Sequence, residues 1–167
     1  MNSLLILWRH AEAQIGLRDY DRKLTKKGRT DGKKIAELLK KNYQNLNLLC
    51  SSARRTTQTS EFLVDILPEI ESNYMKELYL ASSIEMADII LEYSTSKKNI
   101  LCIGHNPGIH QLALSLVNIN QINESSEIIK NKFPSSSLAI IKIRDSDWGN
   151  IYTNQNTLID FITPKLV

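Results

Sequence analysis

The chain has 167 residues, 42% of them hydrophobic and 23% charged, with a net charge of +3 at pH 7. That length predicts one domain spanning residues 1–167 with room for a proper core, and the composition is that of an ordinary soluble globular protein. The small charge excess, with lysines scattered apart from Lys26-Lys27 and Lys40-Lys41 on one candidate helix, excludes a nucleic-acid stripe, and no apolar run is long enough to span a bilayer.

The N-terminus has no basic start ahead of an apolar segment, so no leader is expected and the cytoplasm is the expected location. Leu4 to Trp8 has the length and composition of a buried strand, and it stops abruptly at Arg9-His10. In open α/β sheets, ligands sit at the carboxyl ends of strands. The pair can therefore face an anion, or the strand can simply surface at two polar residues. A polar loop from Glu12 to Arg22 follows. Thr25 is the expected N-cap of a helix running to about Lys41, with Gly28, Gly32, Ile35 and Leu39 on its inner stripe. The two glycines lower helix propensity and predict a close approach to the sheet.

Leu46 to Cys50 reads as a second strand. It leads into Ser51-Ser52-Ala53-Arg54-Arg55-Thr56-Thr57-Gln58-Thr59 and a helix that carries Thr59, Phe62 and Ile66 on one face and stops before Pro68. Two arginines thus occupy the first turn of a helix, where the macrodipole disfavours cations by about 0.3–1 kcal/mol. A bound anion reverses that sign. Ile70 to Leu80 fits a strand and a loop, and Ser82-Ser83-Ile84-Glu85 resembles a capping box opening a helix with Met86, Ile90 and Tyr93 inward. Asn99 to Ile103 is the third clear strand, ending in Gly104-His105-Asn106-Pro107-Gly108. Asn106 is the expected cap and Pro107 the first residue of the next helix, whose buried stripe is Ile109, Leu112, Ala113 and Leu116. Asn118 to Lys132 is a polar surface connection with a short helical piece. Ser137 to Arg144 is a further strand, which Asp145 to Asn150 turns into Ile151-Tyr152-Thr153 as an antiparallel hairpin. Leu158 to Ile162 docks extended before Pro164. Cys50 and Cys102 lie in apolar runs and read as small buried residues of a reducing compartment. Trp8 and Trp148 read as packing residues, and His110 as exposed or locally packed.

Strands alternating with helices predict an α/β three-layer sandwich, a mostly parallel central sheet with helices on both faces and an antiparallel hairpin at one edge. Its carboxyl ends share one edge, which would gather Arg9, His10, Arg55 (or Arg54) and His105 into one crevice. Guanidinium forks and imidazoles match a dianionic phosphoryl group. There is no P-loop. A metal is the weaker reading of three histidines whose flanking arginines repel a dication, so no metal and no cofactor is expected.

These residues also carry a family likeness. Leu7-Trp8-Arg9-His10-Ala11-Glu12-Ala13 resembles the Arg-His-Gly motif of the histidine phosphatase superfamily, with Ala11 in place of glycine. Ser51 to Thr59 is similar to that family's Ser-Pro-x-x-Arg-Ala-x-Gln-Thr segment, and counting back from Gln58-Thr59 selects Arg55 over Arg54. Gly104 to Gly108 resembles its second-histidine motif. The short SixA-like phosphohistidine phosphatases fit best, with further likeness at Asp21 to Thr25, where Lys23 stands for a frequent proline, at Phe133 to Ala139, and at Phe161 to Pro164. The resemblance implies a phosphoglycerate mutase-like fold, with His10 as the nucleophile that becomes transiently phosphorylated. Arg9, Arg55 and His105 would stabilise the phosphoryl oxygens, and Asn106 and Arg22 would add phosphate or substrate contacts.

An imidazole near pKa 6.5 attacks only when neutral, and flanking arginines keep it so. The other ring nitrogen needs an acceptor to fix the tautomer, and a carbonyl in the Glu12 to Gly16 loop is expected. An ester substrate wants a general acid. Among Glu69, Glu71, Glu77, Glu85 and Asp88, Glu77 is the candidate, with surface exposure as the alternative. A phosphorylated imidazole leaves more readily. Only 44 residues separate His10 from Arg55 and 49 separate Arg55 from His105, which leaves little room for a cap. An open site suits a phosphate carried on another protein better than a small sugar that needs enclosure. The expectation is a metal-independent phosphatase acting on a histidine-phosphorylated partner protein, with no nucleic-acid or membrane partner. The alternatives are a small-molecule or phosphoserine/phosphothreonine monoesterase and, further off, a non-catalytic phosphate-binding module. The oligomeric state has no signature in the sequence.

Overall fold

The N-terminal apolar run becomes β1 (Leu4–Arg9), and its interior residues are buried on both faces. Strand alternation explains how. Leu5 and Leu7 join one core with Met86, Ile90, Ile109 and Leu112, while Ile6 and Trp8 join another with Ile35, Leu39 and Leu63. Each such side chain contributes about 1.5–3 kcal/mol when withdrawn from water. The coordinates are a computed structural model and describe residues 3–16, 18–94 and 99–167, with the backbone alone at 124 and 125.

After β1 come α1 (Lys26–Asn42), β2 (Leu46–Ser51), α2 (Arg54–Val64), β3 (Glu71–Met75), α3 (Ser83–Tyr93), β4 (Asn99–Gly104), α4 (Gly108–Leu116), β5 (Leu138–Lys142) and β6 (Thr157–Ile162). The six strands form one sheet in the order β3-β2-β4-β1-β5-β6. The pairs β3/β2, β2/β4 and β4/β1 are parallel, and β1/β5 and β5/β6 antiparallel. Helices α1 and α2 cover one face, α3 and α4 the other, which is the expected three-layer arrangement. Among the described residues no helix is long and apolar enough to cross a membrane.

Local chemistry sets the helix starts. The Thr25 hydroxyl accepts the Gly28 amide at 2.9 Å. Ser82 and Glu85 form the full capping box at α3. Cys50 and Cys102 are free and fully buried, and burial pushes the Cys102 thiol up to about 12, so both behave as small core residues. Trp8 and Trp148 pack in the cores.

Three local expectations are corrected. The glycines of α1 do not approach the sheet. A Cβ on Gly28 would sit 2.1 Å from the Glu12 carbonyl, and one on Gly32 would sit 2.8 Å from the Phe62 ring of α2. They let α1 close on the loop after β1 and on α2. The second correction is the returning strand of the edge hairpin, which is β6 and not Ile151 to Thr153. Asp145 and Ser146 take φ of 54° and 56°, which ends the extension of β5. Trp148–Tyr152 is a 3-10 turn that buries Trp148 and Ile151 against the core. Asn156 Nδ2 holds this detour by donating to the carbonyls of Leu116, Asn150 and Thr153. Third, Asn106 does not cap α4. The helix starts at Gly108 with Pro107 as its cap, because the Asn106 amide is drawn away to the Phe133 carbonyl at 3.2 Å. The helical content expected in the Asn118 to Lys132 connection is present as 3-10 turns at Ile119–Gln121 and Glu124–Lys130.

Candidate active site

The register of the central strands brings the two histidines together. Arg9 pairs with Gly104 across β1 and β4, so the next residues, His10 and His105, leave the sheet side by side. Their ring centroids lie 5.2 Å apart. Backbone bonds fix this exit, since His10 N–H donates to the Gly104 carbonyl at 3.2 Å and Ser136 N–H donates to the carbonyls of Arg9 and His10. Ala11 is fully buried, with its methyl facing Gly32 of α1.

The polar face of α2 then clamps the loop. Thr59 Oγ1 accepts the Ala11 amide at 3.0 Å and donates to the Arg55 carbonyl at 2.7 Å. Gln58 Oε1 accepts the Leu24 amide at 2.9 Å. Those two side chains explain why a Gln-Thr pair follows the arginine: buried backbone amides need partners.

Arg55 is buried while Arg54 is exposed. Arg55 Nε–H points at His10 Nε2 at 3.3 Å, Nη1 donates to the Asp19 carbonyl at 2.7 Å and Nη2 meets the Asp19 carboxylate at 3.0 Å. His10 Nδ1 lies 2.8 Å from the Ala11 carbonyl. A carbonyl can only accept, so Nδ1 carries the proton and Nε2 keeps its lone pair toward Arg55. The acceptor is therefore a backbone carbonyl, as expected, but that of the next residue and not one in the Glu12 to Gly16 loop. His105 Nε2 bonds the Ser51 hydroxyl at 2.7 Å. That hydroxyl also accepts from the Ala53 amide at 3.4 Å, and His105 Nδ1 has no protein partner.

Burial, reinforced by the nearby guanidinium charges, holds His10 down at about 3, and burial holds His105 at about 3 as well. Both imidazoles are neutral at pH 7. Between pH 6.5 and 3 the unfolded chain binds protons at these two rings that the folded chain refuses, so stability falls as pH falls through that window. Thermal melts of the unliganded protein from pH 7 to 4 are expected to show this slope, and the His10→Gln, His105→Gln double variant to flatten it. Equal slopes in both proteins would mean that the acid loss comes from carboxylates instead.

His10, His105, Arg9, Arg22, Arg55 and Asn106 all line one cavity of about 310 Å³, together with Asp19, Glu12 and Ser135. Arg9 Nη1 donates to the Phe133 carbonyl at 2.8 Å, and its Nε has no partner. Arg22 pairs with Asp19. The structure does not bring Glu77 to the cavity. It is exposed, and Leu78 beside it turns into the core. Tyr79 stands at the site instead, edge-on to His105 at 5.5 Å, with its hydroxyl donating to Asp19 at 2.6 Å. Asp19 and Tyr79 are the residues that sequence reasoning missed. Tyr79, Arg22 and Arg55 hold the Asp19 carboxyl down at about 2. His110 packs locally, with Nε2 donating to the Ile129 carbonyl at 2.6 Å. Among the described residues, no three His, Cys, Asp or Glu side chains are grouped to hold a metal ion.

No family model matches the chain. An uncharacterized protein of Mycobacterium tuberculosis is 27% identical over 161 residues, covering 94% of this chain and 99% of its own. A candidate SixA phosphohistidine phosphatase of Agrobacterium tumefaciens superposes with a TM-score of 0.77 at 26% identity, covering 98% of this chain and 99% of its own. In fold and in sequence the chain is similar to the SixA-like branch of the histidine phosphatase superfamily. A second candidate SixA structure, from Nakamurella multipartitia, superposes at a TM-score of 0.84 with 23% identity, covering 98% and 97% of the two chains. The SixA-like chain thus has a phosphoglycerate mutase-like fold, and its structural neighbours are phosphatases.

Proposed function

We propose that this SixA-like phosphatase, one domain over residues 1–167, removes phosphoryl groups from phosphohistidine on a partner protein without a metal, through a phosphohistidine formed on His10. The observation that carries this reading is the His10 tautomer: Nδ1–H on the Ala11 carbonyl and an unprotonated Nε2 whose lone pair faces Arg55 Nε–H at 3.3 Å. Nε2 attacks phosphorus in line. The P–N bond to the substrate imidazole breaks, and the leaving nitrogen keeps the electron pair and takes a proton from water. Water then attacks phospho-His10, releasing phosphate and restoring the lone pair. Arg9, Arg22 and Arg55 supply the positive charge that a metal would otherwise bring, and His105 Nδ1–H adds a donor to an equatorial oxygen. Asn106 lines the same cavity as a substrate contact. The buried free thiols suit a reducing cytoplasm.

The substrate class follows from the missing acid. Asp19, held ionised down to about pH 2, accepts hydrogen bonds and has no proton to give at neutral pH. Alkoxides need such a proton far more than imidazoles do. One observation favours the ester alternative: Glu12 also lines the cavity, tied by Oε1 to the Thr25 hydroxyl at 2.8 Å. Turnover of a phosphohistidine peptide and of its phosphoserine counterpart separates the two readings. The expected preference for phosphohistidine in kcat/KM is at least about 100-fold, the size of an absent general acid. Equal rates, with esterase activity lost in Glu12→Gln, would favour the monoesterase.

A further inference from the structure

A larger groove of about 590 Å³ adjoins the catalytic cavity and shares Arg9, Glu12, Asn106 and Ser135 with it. The cavity alone is enough for a phosphorylated imidazole, so the groove is available to whatever the imidazole is attached to. Its floor is apolar, made by Ile128, Phe133 and Pro164, and its rim carries Lys27, Lys132 and Lys165. Lys27 is spoken for by Asp31. Lys132 and Lys165 are exposed and have no ion pair among the described residues. Against them the groove offers only the Glu12 carboxylate. An apolar floor under unpaired cations selects an occupant that is partly apolar and anionic.

The junction between the two spaces narrows the choice. Arg9 Nε, a donor, and Asn106 Oδ1, an acceptor, are both without partners there. Leaving such buried groups unpaired is unfavourable. A peptide brings both C=O and N–H groups to such a junction, whereas a small polyanion offers acceptors only.

We propose that this groove binds the polypeptide flanking the phosphorylated residue and selects segments with acidic side chains reaching Lys132 and Lys165. This rests on the phosphohistidine reading and adds the sequence context of the substrate. Lys132 and Lys165 then determine specificity without touching the reacting atoms.

The test uses the full chain, its Lys132→Glu, Lys165→Glu double variant, and peptides with the same phosphohistidine in an acidic or a lysine-rich flank. At low salt, kcat/KM for the acidic peptide is expected to fall about tenfold in the variant, as charge reversal at a rim does. The lysine-rich peptide is expected to gain, and phosphoramidate to be unchanged. Equal effects on both peptides, or none, overturn the proposal. If neither protein hydrolyses phosphohistidine, the functional reading fails while the groove remains testable. The unphosphorylated acidic peptide should still shift the amide NMR signals of Asn131, Lys132, Phe133 and Lys165, and the lysine-rich one should not. Shifts located elsewhere, or caused equally by inorganic phosphate alone, overturn it.

Discussion

Replacing His10 with alanine is expected to reduce turnover by at least about 10⁴-fold, because it removes the group that forms the covalent bond rather than one that assists it. The fold should survive. The ring leaves from the edge of a cavity, and the backbone bonds of His10 to Gly104 and Ser136 do not involve it. The loss should therefore fall on kcat, with far-UV circular dichroism unchanged and thermal stability within about 1–2 kcal/mol of wild type. Rapid acid-free quenching of wild type with a labelled substrate should trap an acid-labile, alkali-stable phosphoenzyme that the variant lacks. The His105→Ala variant sharpens the test. His105 lies 5.2 Å from His10 and carries the same neutral charge, so composition alone does not separate nucleophile from helper. Hydrogen bonding does. His10 has its Nδ1 proton committed to a carbonyl and its Nε2 lone pair facing only the longer 3.3 Å contact of Arg55 Nε–H, while the Ser51 hydroxyl sits at 2.7 Å on His105 Nε2. His105→Ala should still form the phosphoenzyme, only more slowly. A label that persists in His10→Ala and disappears in His105→Ala would reverse the two roles.

Much of this site is legible in the residues because strand ends are fixed points. Once β1 and β4 are parallel neighbours, Arg9-His10 and Gly104-His105 must share an edge, whereas the choice of Arg55 over Arg54 rests on the resemblance of Ser51 to Thr59 to the family's segment. The fold class is readable for the same reason: apolar runs of strand length alternate with helical stripes and leave few topologies. The pieces that escaped are those set by side chains reaching across loops. Asp19 sits in a polar stretch with no periodicity, and nothing local says that Arg55, Arg22 and Tyr79 converge on it. Glu77 attracted the acid role by position, yet the chain there buries Leu78, which turns Glu77 outward and brings Tyr79 to the site. The hairpin was misplaced because Ile151-Tyr152-Thr153 has strand composition, while the bonds from Asn156 that hold it as a 3-10 turn come from outside it.

Arg55 is where the two halves of the site meet, and its replacement is expected to have the second-largest effect. Its side chain reaches the nucleophile through Nε and the Asp19 loop through both terminal nitrogens. Lysine preserves the charge but has no fork, so it cannot hold the Asp19 carbonyl, the Asp19 carboxylate and His10 at once. Arg55→Lys should lower kcat/KM by about 10²–10³-fold, or 2.7–4 kcal/mol, the range for losing a preorganised donor to transition-state charge. The exposed Arg54→Ala should stay within about twofold of wild type, as a surface charge without a partner in the site does. A second readout separates loss of charge from loss of geometry. The 3-10 turn Asp19–Asp21 buries no residue of its own and is tied to the body through Arg55 and Tyr79. Without the guanidinium, hydrogen exchange at residues 19–22 should quicken, and the Asp19 carboxyl should titrate closer to its ordinary value of 3.8. If Arg55→Lys keeps near wild-type kcat/KM while exchange at 19–22 rises, Arg55 organises the loop and another guanidinium, Arg9 or Arg22, carries the phosphoryl charge. If activity falls with exchange unchanged, Asp19 is held by Tyr79 and Arg22 alone, and the whole cost of the substitution lies in the chemistry.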